Sequence, residues 1–307
     1  MLNDLSAARA AVDVPLFASP TVTVGRWRCP VGHPFFADSG PAGGYLVCFP
    51  RTAVWIQHDG GPAFLADPTV VTFYNEGERY VRRAFHPAGD HTDWFAVAPS
   101  AVADALREVD PSVDDRGARP FPSPHGLSDP HTYLLQRAIV EHVSRDAPAD
   151  ALFVEEAVLA VLARVVPGAA QAPRRPYGRR PAAPVERVRA VLAERFCDDL
   201  SLADLARLAG CSVFHLARLF RAETGATLHG YRQQLRLRSS LERLAEPRVD
   251  LLELAMELGY SSHSHFTETF RRTFGVTPSS VRGCLTRRRA RELASRLDTH
   301  LKTPPAL

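Results

Sequence analysis

Short apolar runs with alternating polar positions fill the chain from about Thr21 to Val97: TVTVGRW, GYLVCF, AVWIQH, VVTFY, YVRRAF and DWFAVA. Gly-Pro, Gly-Gly, Asp-Pro and Asn-Glu-Gly separate them, so the pattern predicts six or more short strands joined by turns. Spaced about ten residues apart, such strands make an antiparallel sandwich or barrel. From Ser100 the period lengthens to that of a helix, over 101–109, 130–145 and 151–166. Leu134, Leu135, Ala138, Ile139 and Val143 form an apolar stripe on the second of these, and Leu152, Val154, Ala157, Val158, Val161 and Leu162 form one on the third. Helices striped in this way either cap the β unit or meet a second subunit, and a homodimer through them is the expectation.

Residues 167–184 hold five prolines and two glycines, a composition that predicts a semi-extended linker. Beyond it every segment reads as helix. Ser201, Ser212 and Asp250 stand at helix starts, and Gly210, Gly225, Gly259 and Gly275 stand where helices should stop. This region is duplicated. Leu205, Ala206 and Gly210 recur 49 residues later as Leu254, Ala255 and Gly259; Leu216, Phe220, Gly225 and Thr227 recur 50 residues later as Phe266, Phe270, Gly275 and Thr277. Each copy specifies a short helix, a Gly-containing turn and a Ser-capped second helix, with a small alanine where the helices cross. That is a helix-turn-helix. Between the copies, residues 228–244 read as a helix whose Tyr231, Leu235, Leu237, Leu241 and Leu244 pack on both units, leaving Arg232, Arg236, Arg238 and Arg243 facing outward.

Charge sharpens the division. Residues 1–167 carry 13 basic and 20 acidic groups, whereas 168–307 carry 24 basic and 14 acidic, although the whole chain is only +3. The basic half favours a polyanion. The first 17 residues lack the basic and apolar order of a secretory signal, and 151–166 is too short and too often interrupted by Glu155, Glu156 and Arg164 to span a bilayer. Five scattered cysteines without a C-x-x-C pair fit a reducing compartment. A cytoplasmic protein without a membrane partner is the expectation.

The C-terminal motifs are Leu202-Ala-Asp-Leu-Ala, Ser212-x-x-His-Leu-x-Arg-Leu-Phe, Gly225-x5-Tyr231, Ala255-x-x-Leu-Gly-Tyr260, Ser264-x-Phe266-x3-Phe270-Arg and Gly275-Val-Thr-Pro278-x3-Arg282. With these, the stretch from about Val185 to Arg282 resembles the DNA-binding domain of AraC-type transcriptional regulators. The resemblance implies an α+β chain: a cupin-like barrel with a helical hairpin for sensing and dimerisation over 1–167, a linker over 168–184, the double helix-turn-helix over 185–284 and a basic tail over 285–307. It also implies double-stranded DNA, a small-molecule effector and RNA polymerase as candidate partners. The second helix of each unit would lie in a major groove. Val213, Phe214, Ala217 and Arg218 would then meet base edges, with His215 and Arg221 on phosphates; Arg218 alone can grip guanine bidentately. Phe214 has two readings, thymine-methyl contact or core. In the second unit the set is Ser262, His263, Ser264 and Thr267, with Arg271 on the backbone. Glu268 stands where such regulators often carry a base, and an acid there repels phosphates unless it accepts from cytosine N4.

In the N-terminal half, Trp55, Tyr74, Tyr80, Arg82, Asp90 and Trp94 suit an effector pocket or, equally, barrel core. Cys29-x3-His33, with His86 or His91 brought alongside, has ligand-like spacing, but the Gly-x5-His-x-His pattern of metal-binding cupins is missing. No catalytic triad, phosphate loop or carboxylate pair stands out, and no cofactor is expected. The rival class is a cupin-type metalloenzyme fused to a DNA-binding module.

Overall fold

The computed structural model describes residues 9, 11–107, 110–117, 119–145, 149–171, 183–246 and 248–281. The expected tail over 285–307, Arg282 and most of the expected linker lie outside the described residues. Among the described residues nine strands come first: β1 (Asp13–Ala18), β2 (Val22–Cys29), β3 (Tyr45–Pro50), β4 (Val54–His58), β5 (Phe64–Ala66), β6 (Val70–Tyr74), β7 (Tyr80–Arg83), β8 (Asp90–Val97) and, after an interval, β9 (His125–Leu127). All six predicted runs are strands, and β1, β5 and β9 are additional to them. They pair antiparallel into two sheets, β1-β2-β8-β3-β6-β9 and β5-β4-β7. The described strands therefore make two open sheets with no closed barrel.

Strand alternation sends β8 two ways. Asp90, Thr92, Trp94 and Ala96 face a cavity between the sheets, whereas Asp93, Phe95 and Val97 are buried on the other side. Against that other side lie α1 (Pro99–Arg107), α2 (Pro130–Val143) and α3 (Ala151–Gln171). Leu134, Leu135, Ala138, Ile139 and Val143 are all buried, as are Val154, Ala157, Val158, Val161 and Leu162, while Leu152 is exposed. The stripes are thus covered within the chain, and the expected dimer through these helices loses its motive. Residues 132–140 of α2 are buried without a break, the mark of a helix enclosed on all sides. Helix α3 continues past Pro167 to Gln171, so the linker begins later than its prolines predict. A proline forfeits one backbone bond, which a helix anchored by sixteen preceding residues tolerates.

The C-terminal helices are α4 (Ala183–Arg195), α5 (Leu202–Ala209), α6 (Val213–Thr224), α7 (Leu228–Leu244), α8 (Leu251–Glu257), α9 (His263–Phe274) and α10 (Pro278–Val281). Ser201, Ser212, Asp250 and Ser262 cap as expected, each accepting a backbone N–H of its first turn. Gly210, Gly225 and Gly275 close α5, α6 and α9 at φ of 71°, 72° and 70°, left-handed values that favour glycine. The predicted apolar face of α7 is buried in full. Its arginines depart from expectation. Arg243 is exposed, but Arg236 and Arg238 are buried because backbone carbonyls receive them. Arg236 donates to Phe196 O at 2.6 Å and Gly259 O at 2.9 Å; Arg238 donates to the carbonyls of Pro68 and Ser128. One apolar core runs from the six-stranded sheet through α2 and α3 into α7, α8 and α9.

Candidate DNA-reading surface and ligand cavity

Each helix-turn-helix buries the same face and frees the same face. In α6, Leu216 and Phe220 are buried, while Val213, Phe214, His215, Ala217, Arg218 and Arg221 are exposed. Phe214 is 79% exposed, which removes the core reading of this side chain. In α9, Phe266, Phe270 and Phe274 are buried, Phe270 meeting Phe266 edge to face and Phe274 at a tilt. Ser262, His263, Ser264 and Arg271 are exposed and Thr267 is half-buried. Arg271 forks onto Glu268, donating from Nε at 3.1 Å and from Nη2 at 2.9 Å, so the acid that would face phosphate already has a cation beside it. Helix α7 joins the two units, and Tyr231, packed edge-on to Phe220, ties it to the first.

A cavity of about 310 Å³ opens between the two sheets. Of the six effector candidates, Tyr74, Tyr80, Arg82, Asp90 and Trp94 line it. Trp55 does not. It lies on the opposite face of β4 from Ile56, against Phe85 and under Arg83. Sequence reading missed Asp13 and Trp27; the odd–even parity of TVTVGRW, once β2 is paired with β8, is the signal that would have placed Trp27 beside Thr92. The Arg82 guanidinium sits 4.4 Å from the Trp27 ring centre and donates to Asp90 at 2.6 Å. Burial pushes the Asp13 carboxyl up, against the pull of Arg9 and a hydrogen bond from Trp94.

The metal candidates stay apart. Cys29 is buried, and burial pushes its thiol up to about 11. His33 Nδ1 accepts the Phe35 N–H and His86 Nδ1 accepts the Ala88 N–H, the work of turn residues. His91 is half-buried on β8. Among the described residues, no three His, Cys, Asp or Glu gather to hold a metal ion.

Between the sheets and the helix-turn-helix units runs a buried polar seam that no local motif announces, since its partners lie 110 to 191 residues apart. Asp67 accepts from Arg189 at 3.3 Å and from the Tyr231 hydroxyl, and Arg189 also donates to Leu65 O at 2.8 Å. Arg51 donates to Glu242 of α7 at 2.9 Å. Asp93 is met by Arg137 at 2.7 Å and Arg51 at 3.5 Å. Burial alone would raise the Asp93 carboxyl, but Arg137, Arg51 and Arg26 outweigh it and hold it below the usual carboxylate range.

Two crossed helix pairs of this geometry, joined by one buried helix, define the class of double helix-turn-helix DNA-binding proteins. A family model described as a helix-turn-helix domain matches residues 205–283. Regulatory protein SoxS of Escherichia coli is 36% identical over 89 residues, 29% of this chain and 83% of SoxS. Probable transcription factor PqrA of Proteus vulgaris is 32% identical over 85 residues, 28% of this chain and 70% of PqrA. The chain belongs to the AraC-type transcriptional regulators. HTH-type transcriptional regulator GlxA of Rhizobium meliloti is 40% identical over 78 residues, 25% of this chain, and the match spans only 24% of GlxA. These relatives are regulators rather than enzymes. Among the described residues no helix is long and apolar enough to cross a membrane.

Proposed function

We propose that this chain is a sequence-specific regulator of transcription that reads duplex DNA through α6 and α9 and answers to a small molecule held between its N-terminal sheets. The observation that carries the reading is the pair of Ser-capped helices, apolar inside and exposed along Val213–Arg221 and Ser262–Arg271, in a half that carries 24 basic groups against 14 acidic. Arg218 and Arg221 supply charge on the first unit and His215 a hydrogen-bonding ring; Ser262, His263, Ser264 and Thr267 supply hydrogen-bonding groups on the second. The first unit therefore carries most of the base discrimination and the second mostly positions the protein. The two-sheet unit takes the place of the cupin-like sensor, with the 310 Å³ cavity as effector site. RNA polymerase is a partner this reading implies, and a cytoplasmic location follows from it. A homodimer would have to use a face other than the buried stripes of α2 and α3.

The test is DNA binding by the full chain, with selection and sequencing of the bound duplexes. A recovered motif with two recognised segments one helical turn apart, and affinity that falls steeply with salt, is the expected result. Binding without sequence preference, or without salt dependence, overturns it.

A further inference from the structure

The two helix-turn-helix units do not share a core. Leu205, Ala206, Leu216 and Phe220 of the first pack with α4 and with Tyr231 and Leu235 of α7. Leu254, Phe266 and Phe270 of the second belong to the core of the six-stranded sheet, α2 and α3, which α7 enters at Leu237. The second unit is therefore built into the body of the protein, while the first is a separate pack of helices. Arg236 stands between Leu235 and Leu237, where α7 passes from one core to the other.

Arg236 closes that joint with directional bonds. Its side chain is buried, and it donates to Phe196 O at 2.6 Å and Cys197 O at 3.2 Å, just after α4 of the first unit. It also donates to Gly259 O at 2.9 Å, in the turn of the second unit. The donors of a planar guanidinium point in set directions, so one group fixes the two turns against each other. The turns meet without slack. Gly259 has a φ of 75°, and a Cβ there would stand 2.5 Å from Cys197 O and 2.6 Å from Arg236 Nη2. A second bond spans the joint, from the Tyr260 hydroxyl to Gln233 Oε1 at 2.8 Å, and Phe196 packs against both cores. The first unit is also tied to the sheets, through Asp67 with Arg189 and Tyr231. That tie would serve as a pivot if the joint were loosened.

We infer that Arg236 is a positioning residue: it sets the separation and angle between α6 and α9, and so the spacing of the two DNA segments this protein accepts. The inference rests on the reading that α6 and α9 enter the major groove. One base pair added between the segments moves the second by about 3.4 Å and turns it by about 35°, which a rigid joint cannot follow. The test is competition binding by the full chain on the selected duplex, on versions with one base pair added or removed between the segments, and on one with the second segment scrambled. The wild type should lose at least about fivefold on each respaced duplex, the scale of one mismatched base pair. Arg236→Lys keeps the charge and loses the fork, so its penalty should shrink to within about twofold. Its binding to the scrambled duplex should stay within about twofold of the wild type, because the first unit remains intact. Tyr260→Phe removes one hydroxyl with little change of shape and should give an intermediate penalty. Circular dichroism melts establish that each variant is folded. The full wild-type penalty in folded Arg236→Lys, or in Tyr260→Phe should the lysine variant not fold, overturns the inference. So does equal weakening on every duplex, the scrambled one included, which is what a merely structural role predicts. A wild type that reads sequence but ignores spacing overturns it too, and leaves the regulator reading standing. A wild type without sequence preference overturns both.

Discussion

Arg218 stands exposed on α6, nearly two turns after the Ser212 cap, with a guanidinium fork that can engage both acceptors of a guanine edge. Arg218→Ala should cost about 1–3 kcal/mol on the selected site and relax base preference at one position, measured by competition against single-base variants of that site. Equal weakening on every sequence would make Arg218 a phosphate contact. Glu268 is a different case, because its charge is shared with Arg271. Glu268→Gln removes the repulsion and frees Arg271 for the backbone, so general DNA affinity should rise roughly two- to fivefold, the scale of a surface charge interaction. A loss confined to sites with one particular base would show instead that Glu268 reads cytosine. Glu78 carries the acid sensitivity. Burial would raise its carboxyl, but a hydrogen bond from His58, the Asn75 N–H at 2.9 Å and Arg119 bring it down to about 2. A lowered folded-state pKa contributes stability above the ordinary glutamate range and loses it as pH falls from roughly 4 towards that value. Denaturation midpoints of the wild type should fall across that window, and those of Glu78→Gln should fall less steeply.

At the scale of elements, β2 and β8 meet without slack. A Cβ on Gly25 would stand 2.1 Å from the Trp94 ring, so Gly25→Ala should push Trp94 into the cavity, cost about 1–3 kcal/mol in urea unfolding and shift tryptophan emission. The helices of the two helix-turn-helix units were legible because their information is local: a cap, a period and a left-handed glycine all lie within about a dozen residues. The apolar face of α7 was legible for the same reason. Its buried arginines were not, because a carbonyl acceptor at Pro68 or Ser128 leaves no trace near Arg238. The cavity was half legible. Residue type singled out Tyr74, Arg82, Asp90 and Trp94, but strand parity, which excludes Trp55 and admits Trp27, depends on register with distant strands. The stripes on α2 and α3 were read correctly as apolar and wrongly as spare, since the pattern says that a face is buried and never against what.

The whole molecule is bound together more tightly than a Pro-rich tether between two units implies. Asp67 is fully buried against Arg189 and Tyr231, and Asp67→Asn leaves Glu186 as the remaining carboxylate beside Arg189. The expected cost is about 1.5–3 kcal/mol, and urea unfolding, expected as one transition in the wild type, should broaden or split in the variant. Salt should act on the opposite side of the protein. DNA affinity of the full chain should fall with a log–log slope of roughly −0.9 per phosphate neutralised, and Arg221→Ala should reduce that slope by about one. The shared core also bears on how such a chain could be rebuilt. Tyr231, Arg238 and Glu242, spaced along one side of the helix that separates the two reading units, have their partners in the sheet half. A chimera that kept the reader and grafted a foreign sensor would strand Tyr231, Arg238 and Glu242, together with Arg189 of α4, at the new junction. This protein is therefore a poor donor of interchangeable parts, and fitting its reader with a new sensor calls for a redesigned α7 as well.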